Sequence, residues 1–323
     1  MHFLITGGAG FIGGHLTEAL IAEGHEVVVI DNLSTGNLAN LNSLKNNPAL
    51  NFIEADILDF PDLENQVAKT DMIFHLAAAV GVELVVHDPV RTIETNVHGT
   101  ENMLKAAAKS NKKILITSTS EVYGKSDKEV FSETDDLLIG PPTHSRWSYA
   151  CSKLLDEFSL MAFHRASKLP GTVVRLFNTV GPRQTGRYGM VLPRFVSKAL
   201  KGEALQVYGT GEQSRCFCHV ADTVRALKAL AACDNATGKV LNIGDSNSIS
   251  IKDLAKLVIK RLGSSSSIEI VPYEKAYEKG FEDMLHRVPN TAAIKELVGW
   301  QSKLSLEKII DDVAAYIKQT GNL

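Results

Sequence analysis

The sequence predicts an α/β fold built on a doubly wound parallel sheet, with a smaller α/β lobe at the C-terminal end. Three observations predict it. Short apolar runs alternate with longer amphipathic stretches through the first half of the chain. The first apolar run leads directly into a glycine-rich turn and then a helical pattern. From about Asn178 the alternation fails, and Gly and Pro become frequent, as in Gly181-Pro182 and Tyr208-Gly209-Thr210-Gly211.

Taken in order, His2–Thr6 reads as the first strand and Ile12–Glu23 as the first helix. Glu26–Ile30, Asn51–Ala55 and Met72–His75 follow as strands, and Val90–Lys109 as a long helix. Lys113–Thr117 is a fifth strand, Tyr149–Ser167 a second long helix, and Thr172–Leu176 a sixth strand. Strands this apolar are covered on both faces, which is the habit of parallel sheets. Ser264–Ser267 reads as a short loop between a helix and a strand. The expected division is a Rossmann-type domain over 1–177, with a return segment near 219–243, and a second lobe over 178–323.

Composition narrows the function classes. The chain has 323 residues, 22% charged and 44% hydrophobic, with 34 Lys plus Arg against 37 Asp plus Glu for a net charge of −3. That is an ordinary globular composition, with no electrostatic case for nucleic acid or an anionic membrane surface. No apolar run approaches the ~18 residues of a membrane span, and MHFLITGGAGF lacks the basic start of a signal peptide. Cys151, Cys216, Cys218 and Cys233 are too few and too irregular for a disulfide framework. Cys216-x-Cys218-His219 has no second cluster to complete a metal site, so no metal is expected. A cytoplasmic location is the expectation.

Gly7-Gly8-Ala9-Gly10-Phe11-Ile12-Gly13 follows the first strand and opens the first helix. Its glycines permit a tight turn and a close backbone approach to a pyrophosphate, and the helix N-terminus offers free N–H groups. Asp31 ends the next strand 18 residues after Gly13. A carboxylate there accepts from a ribose 2′-OH and repels a 2′-phosphate, which predicts NAD rather than NADP. Asp56-Ile57, after the third strand, either reaches the adenine end or caps the next turn.

Tyr149 and Lys153 stand four residues apart, on one face of a helix. An ammonium beside a phenol stabilises the phenolate, which would bring Tyr149 within reach of acid–base chemistry near neutrality. Alone the pair is a chance-level pattern; behind a dinucleotide fold it is a candidate catalytic pair. Thr117-Ser118-Thr119-Ser120-Glu121 follows the fifth strand, where strand ends line the ligand crevice of such sheets, and it offers hydroxyls and a carboxylate.

TGGAGFIG, Asp31-Asn32, His75-Leu76-Ala77-Ala78, Asn96, TSTSEVYG, YACSK and RLFNTVGPR, in this order, resemble the extended short-chain dehydrogenase/reductases that act on nucleotide sugars. The resemblance runs to about Trp300. It implies a tightly bound NAD and a C-terminal lobe that grips a nucleotide diphosphate sugar, UDP-linked in the members it most resembles, which are decarboxylases and 4-epimerases. By the same resemblance Gly7, Gly10, Phe11, Ile12, Gly13, Asp31, Asn32, Asp56, Ile57, Leu76, Ala77, Ala78, Asn96 and Thr117 hold the cofactor, together with Tyr149 and Lys153. Tyr149, Lys153 and Thr119 match the catalytic residues, with Ser120 and Glu121 beside them. Asn178, Arg183, Val191, Tyr208, Arg215 and Arg287 are expected at the substrate, the last two holding diphosphate and ribose. The resemblance also implies a homodimer through the helices Val90–Lys109 and Tyr149–Ser167.

The implied chemistry begins with oxidation at the sugar C4. Tyr149 takes the hydroxyl proton, Thr119 hydrogen-bonds that oxygen, and Lys153 holds the phenolate and the nicotinamide ribose. The 4-keto sugar then returns as a 4-epimer, loses CO2 if it is a uronate, or loses water as in a 4,6-dehydratase. Glu121 resembles the acid of uronate decarboxylases and some dehydratases, and Arg215 an arginine of the decarboxylases. Gly181-Pro182-Arg183-Gln184 and Val191–Phe195 look more like the epimerases, and Glu83 would repel a uronate at short range. UDP-glucuronate decarboxylation leads, ahead of 4-epimerisation of UDP-glucose or UDP-glucuronate and of 4,6-dehydration. A non-catalytic NAD-binding protein of this fold is the alternative of another class; it would usually lack the Tyr or the Lys, and both are present.

Overall fold

The protein is described by a computed structural model over residues 1–80, 88–185, 190–276 and 284–321. Its centre is a seven-stranded sheet: β1 (His2–Thr6), β2 (Glu26–Asp31), β3 (Leu50–Glu54), β4 (Met72–His75), β5 (Lys113–Thr119), β6 (Gly171–Leu176) and β7 (Val240–Ile243). The order across the sheet is β7-β6-β5-β4-β1-β2-β3, and every pairing is parallel. The strand order reverses at β1, which pairs with β2 on one side and β4 on the other. A crevice therefore opens beyond the carboxyl ends of β1 and β4.

Alternation along each strand feeds two cores. Phe3, Ile5, Phe74, Leu115, Val174 and Leu241 face one side, packed by α1 (Phe11–Ala22) and, further along, by Leu227 and Leu230. Leu4, Ile73, Ile114, Ile116 and Val173 face the other, under α2 (Leu63–Ala68), α3 (Pro89–Lys109) and α4 (Trp147–Ser167). Asp88 caps α3 by accepting from Arg91 N, with Pro89 in the first turn, where a missing N–H costs nothing. The expected strands and helices are present, shifted by one or two residues at their ends. A two-residue shift falls at β5, which runs on to Thr119 because Ser118 and Thr119 pair with Arg175 and Leu176. The hydroxyl run is thus half strand, where β-branched Thr fits well, and half a 3-10 turn over Ser120–Tyr123.

After β6 the chain crosses to a second core. The helix α5 (Val191–Lys201) contributes Leu192, Phe195 and Val196, and the short strand Leu205–Tyr208 contributes Leu205 and Val207. The helix α6 (Val220–Ala231) then packs against the first core and leads to β7 at the sheet's edge. His219 starts α6, its Nδ1 accepting from Ala221 N. The chain goes out again as α7 (Ile251–Leu262), and α8 (Leu306–Thr320) closes the second core with Ile309, Ile310 and Val313. Ser264–Ser267 lies between α7 and the strand Ile268–Val271.

Candidate active site

One cavity of about 650 Å³ runs from the glycine turn after β1 to the second core. At its cradle end Gly7 adopts φ +72°, and a Cβ there would sit 2.7 Å from Ala77 N. A Cβ on Gly13 would sit 2.1 Å from the Gly7 carbonyl oxygen. Gly10 N donates to that oxygen at 3.0 Å, so the turn closes on itself beneath the start of α1. Gly7, Gly10, Phe11, Ile12 and Gly13 all line the cavity.

Asp31 ends β2 and lines the same wall. Its carboxylate accepts from Ala9 N at 2.9 Å and Leu33 N at 2.8 Å. Burial pushes its carboxyl up, and these two N–H groups pull it back toward the ionised form. Asn32 donates to Asp56 at 2.7 Å, and Asp56 also accepts from Leu58 N, so the carboxylate turns the chain as well as lining the cavity. Ile57, Leu76, Ala77, Ala78 and Thr117 line it too, with Thr117 Oγ1 donating to the His75 carbonyl at 3.3 Å.

One expected site residue does not face the cavity, and another lines it through a different set of partners. Asn96 does not line the cavity; it is 1% exposed, and its amide is occupied by Ala79 N at 2.8 Å, Ala79 O at 3.3 Å and Ser152 Oγ at 3.0 Å. It ties the Ala79 strap to α4 from behind. Arg183, expected at the substrate, lines the cavity while donating to Glu18 at 2.7 Å and to the Asn40 carbonyl at 3.0 Å. Its guanidinium joins the cradle half, at α1 and the loop after β2.

At the catalytic end, Tyr149 and Lys153 project from α4 and Thr119 from the end of β5. Thr119 hydrogen-bonds the Tyr149 hydroxyl. The expected lowering of the Tyr149 pKa is not what the structure gives. Burial pushes the phenol above its usual range, the Glu121 carboxylate adds to this, and Thr119 opposes it. The Lys153 ammonium is engaged by Asp156 at 2.8 Å, three residues along α4. Glu121 Oε1 faces Arg287 Nη1 at 3.2 Å, and Ser120 Oγ stands 3.4 Å from the same nitrogen. Arg287, expected at the diphosphate, thus stands at the catalytic end, across 166 residues of sequence from Glu121.

The remaining wall comes from the second core. Asn178 lines it and donates to the Cys216 carbonyl at 3.0 Å. Val191 lies at the start of α5, and Tyr208 carries the Arg194 guanidinium 4.3 Å above its ring. Arg215 lines the cavity while donating to Ser214 O and Met284 O, both at 2.8 Å. Arg146 and Gln213 also line it and carried no sequence signal, since neither lies in a spaced motif. Glu83 lies outside the described residues. Among the described residues, no group of three or more His, Cys, Asp or Glu is gathered to hold a metal.

The glycine cradle, the Asp31 wall and the continuous cavity fit a dinucleotide lying across the switch point with a second ligand beyond it. Comparison with known proteins agrees. The sequence profile described as GDP-mannose 4,6 dehydratase matches residues 4–313. A UDP-N-acetyl-alpha-D-glucosaminuronate decarboxylase from Bacillus cytotoxicus is 41% identical over 321 residues, covering 99% of this chain and 98% of that one. UDP-glucuronic acid decarboxylase 1 from Xenopus tropicalis is 34% identical, covering 98% of this chain and 72% of its own. The crystal structure of UDP-glucuronic acid 4-epimerase from Bacillus cereus, in complex with UDP-glucuronic acid and NAD, superposes with a TM-score of 0.88 at 29% identity, covering 99% of this chain and 100% of that one.

Proposed function

The chain belongs to the GDP-mannose 4,6 dehydratase family of extended short-chain dehydrogenase/reductases, and from that premise we propose that it is an NAD-dependent decarboxylase of a UDP-linked uronate. The observation that carries this reading is the Glu121–Arg287 pair beside Tyr149. Epimerisation needs one acid–base group at C4; loss of CO2 needs a second group that handles a proton at C5. Relatives 41% and 34% identical over nearly the whole of this chain are decarboxylases of UDP-linked uronates.

The cradle from Gly7 to Gly13 and Asp31 would hold NAD, which would supply the acceptor and later donor of the C4 hydride. Tyr149 removes the 4-hydroxyl proton while Thr119 hydrogen-bonds the same oxygen. Lys153 places positive charge beneath the phenolate as it forms. The resulting β-keto acid loses CO2, breaking the bond between C5 and the carboxyl carbon, and the electron pair passes to the C4 oxygen as an enolate. Arg287 offsets that negative charge, and Glu121, ionised in its pair with Arg287, relays a proton from water to C5. Residues 1–177, with the return near 219–243, hold the cofactor, and 178–323 hold the nucleotide through Asn178, Val191, Tyr208 and Arg215.

The chain acts as a homodimer. Cys151, Leu155, Phe158 and Ala162 make an exposed stripe on α4, and Val90 and Ile93 are exposed on α3 beside it. Phe158 keeps 62% of its surface exposed, and an apolar strip of this kind marks a contact with another molecule. A cytoplasmic setting accords with four cysteines that form no disulfide.

The test uses purified protein, added NAD, and UDP-glucuronate or UDP-N-acetylglucosaminuronate, with products separated and weighed. A product lighter by one CO2 is expected, abolished in Tyr149→Phe and reduced ~10²-fold or more in Glu121→Ala. A product of unchanged mass at a new retention time would replace decarboxylation with 4-epimerisation.

A further inference from the structure

We propose that Asp156 is a positioning residue for the reaction, the terminus of a buried hydrogen-bonded strut that fixes Lys153 against the strands beneath the cofactor cradle. The inference rests on the catalytic pair assigned above. Lys153 and Asp156 are 2% and 1% exposed, and their charged atoms stand 2.8 Å apart. The contact does not end there. The Thr100 hydroxyl on α3 hydrogen-bonds Asp156. His75 Nε2 lies 3.1 Å from Thr100 Oγ1, and His75 Nδ1 lies 2.7 Å from Thr6 Oγ1. Ala77 N donates to Thr6 Oγ1 at 3.3 Å, and Ala77 lines the cavity beside Gly7.

Only one arrangement of hydrogens satisfies every member. An ionised carboxylate accepts only, so Thr100 donates to Asp156 and its oxygen receives from His75 Nε2–H. A neutral imidazole protonated at Nε2 accepts at Nδ1, so Thr6 donates to His75, and Thr6 in turn accepts from Ala77 N. All the donors point toward Asp156, and each bond polarises the next. Thr6, His75 and Thr100 are at most 1% exposed, so the strut has no access to solvent along its length. Its two ends both open on the cavity, one at Lys153 and the other at Ala77. The carboxylate sets how much of the Lys153 charge reaches the phenol.

The charged and titratable groups around this pair come from every neighbouring element. Glu121 and Arg287 face Tyr149, and Asp156 acts on it from α4. His75, from β4, feels Lys153 and is held neutral by burial. Glu157 lies next to Asp156 but is occupied by Arg175 at 2.7 Å and by Ser118. Asp156 is thus the anion in direct contact with Lys153.

Removing an anion favours proton loss from every group around it. In Asp156→Asn both limbs of the pH profile of kcat/KM, read as NADH absorbance in the oxidative half-reaction, are expected to move about one unit or more toward acid. Asp156→Glu, which keeps the charge, should leave the limbs in place with a lower plateau. Thr100→Val, which removes one strut bond, should lower the plateau severalfold without moving them. Limbs of Asp156→Asn that coincide with wild type would overturn the proposal, because a purely structural role lowers the plateau alone. A substrate-free readout separates this from the reaction assignment: the tyrosinate absorbance of each protein minus that of its Tyr149→Phe counterpart. Its midpoint should fall in Asp156→Asn even if the wild-type protein leaves UDP-uronates untouched, and an unmoved midpoint overturns the proposal whatever the substrate.

Discussion

His75 shows how one residue carries both a local and a global consequence. Burial and the nearby Lys153 charge lower its pKa from 6.5 to about 3. Below pH 6.5 the unfolded chain binds this proton and the native chain does not, so stability falls as pH drops from 6.5 toward 3 and is unaffected above 6.5. The expected slope from this one group is ~1.4 kcal/mol per pH unit across that window. Urea unfolding at pH 7, 6 and 5 should show it, and a His75→Gln variant should lose that part of the slope. His75 was visible in the sequence only as the first residue of a short motif. Its partners at positions 6 and 100, and the Asp156 carboxylate that Thr100 reaches, come from three other elements, so nothing in its spacing announced them. The same holds for Glu121 with Arg287 and for Arg183 with Glu18, which meet across 166 and 165 residues of chain. By contrast, Tyr149 and Lys153 were legible because one helical turn suffices to bring them together.

The cradle is an element whose function was legible before its geometry. A strand, three spaced glycines and a helix start are local events, and each glycine has a steric reason to be one. Gly13→Ala places a methyl group 2.1 Å from the Gly7 carbonyl, against backbone that cannot yield without opening the turn. Loss of NAD binding is expected, at least ~10²-fold in Kd by fluorescence titration, with far-UV circular dichroism close to wild type. Unchanged affinity would mean that the pyrophosphate lies elsewhere. The β5 boundary was less legible. The pattern ended the strand at Thr117, yet Ser118 and Thr119 continue it, because the β6 neighbour supplies backbone partners that local propensity does not record.

At the scale of the molecule, the exposed stripe on α4 predicts assembly. Phe158→Glu should convert a dimer of this 35.1 kDa chain to a monomer in light scattering, with the fold retained because the side chain is already exposed. A wild-type monomer would remove the dimer assignment. The sheet's parallel, helix-covered character was readable from alternation, but its seventh strand was legible only as a region of return, since four residues between a helix and a loop carry little periodicity. That late strand also sets a timetable for biogenesis. Until Val240 has been made, β6 has no partner on its outer side, and Val173 and Val174 border an unpaired edge. At about 5–20 residues per second, a growing chain holds that edge open for several seconds while half of the second core is still on the ribosome. The sheet thus stays open on one side at a stage when every residue of the cofactor cradle already exists.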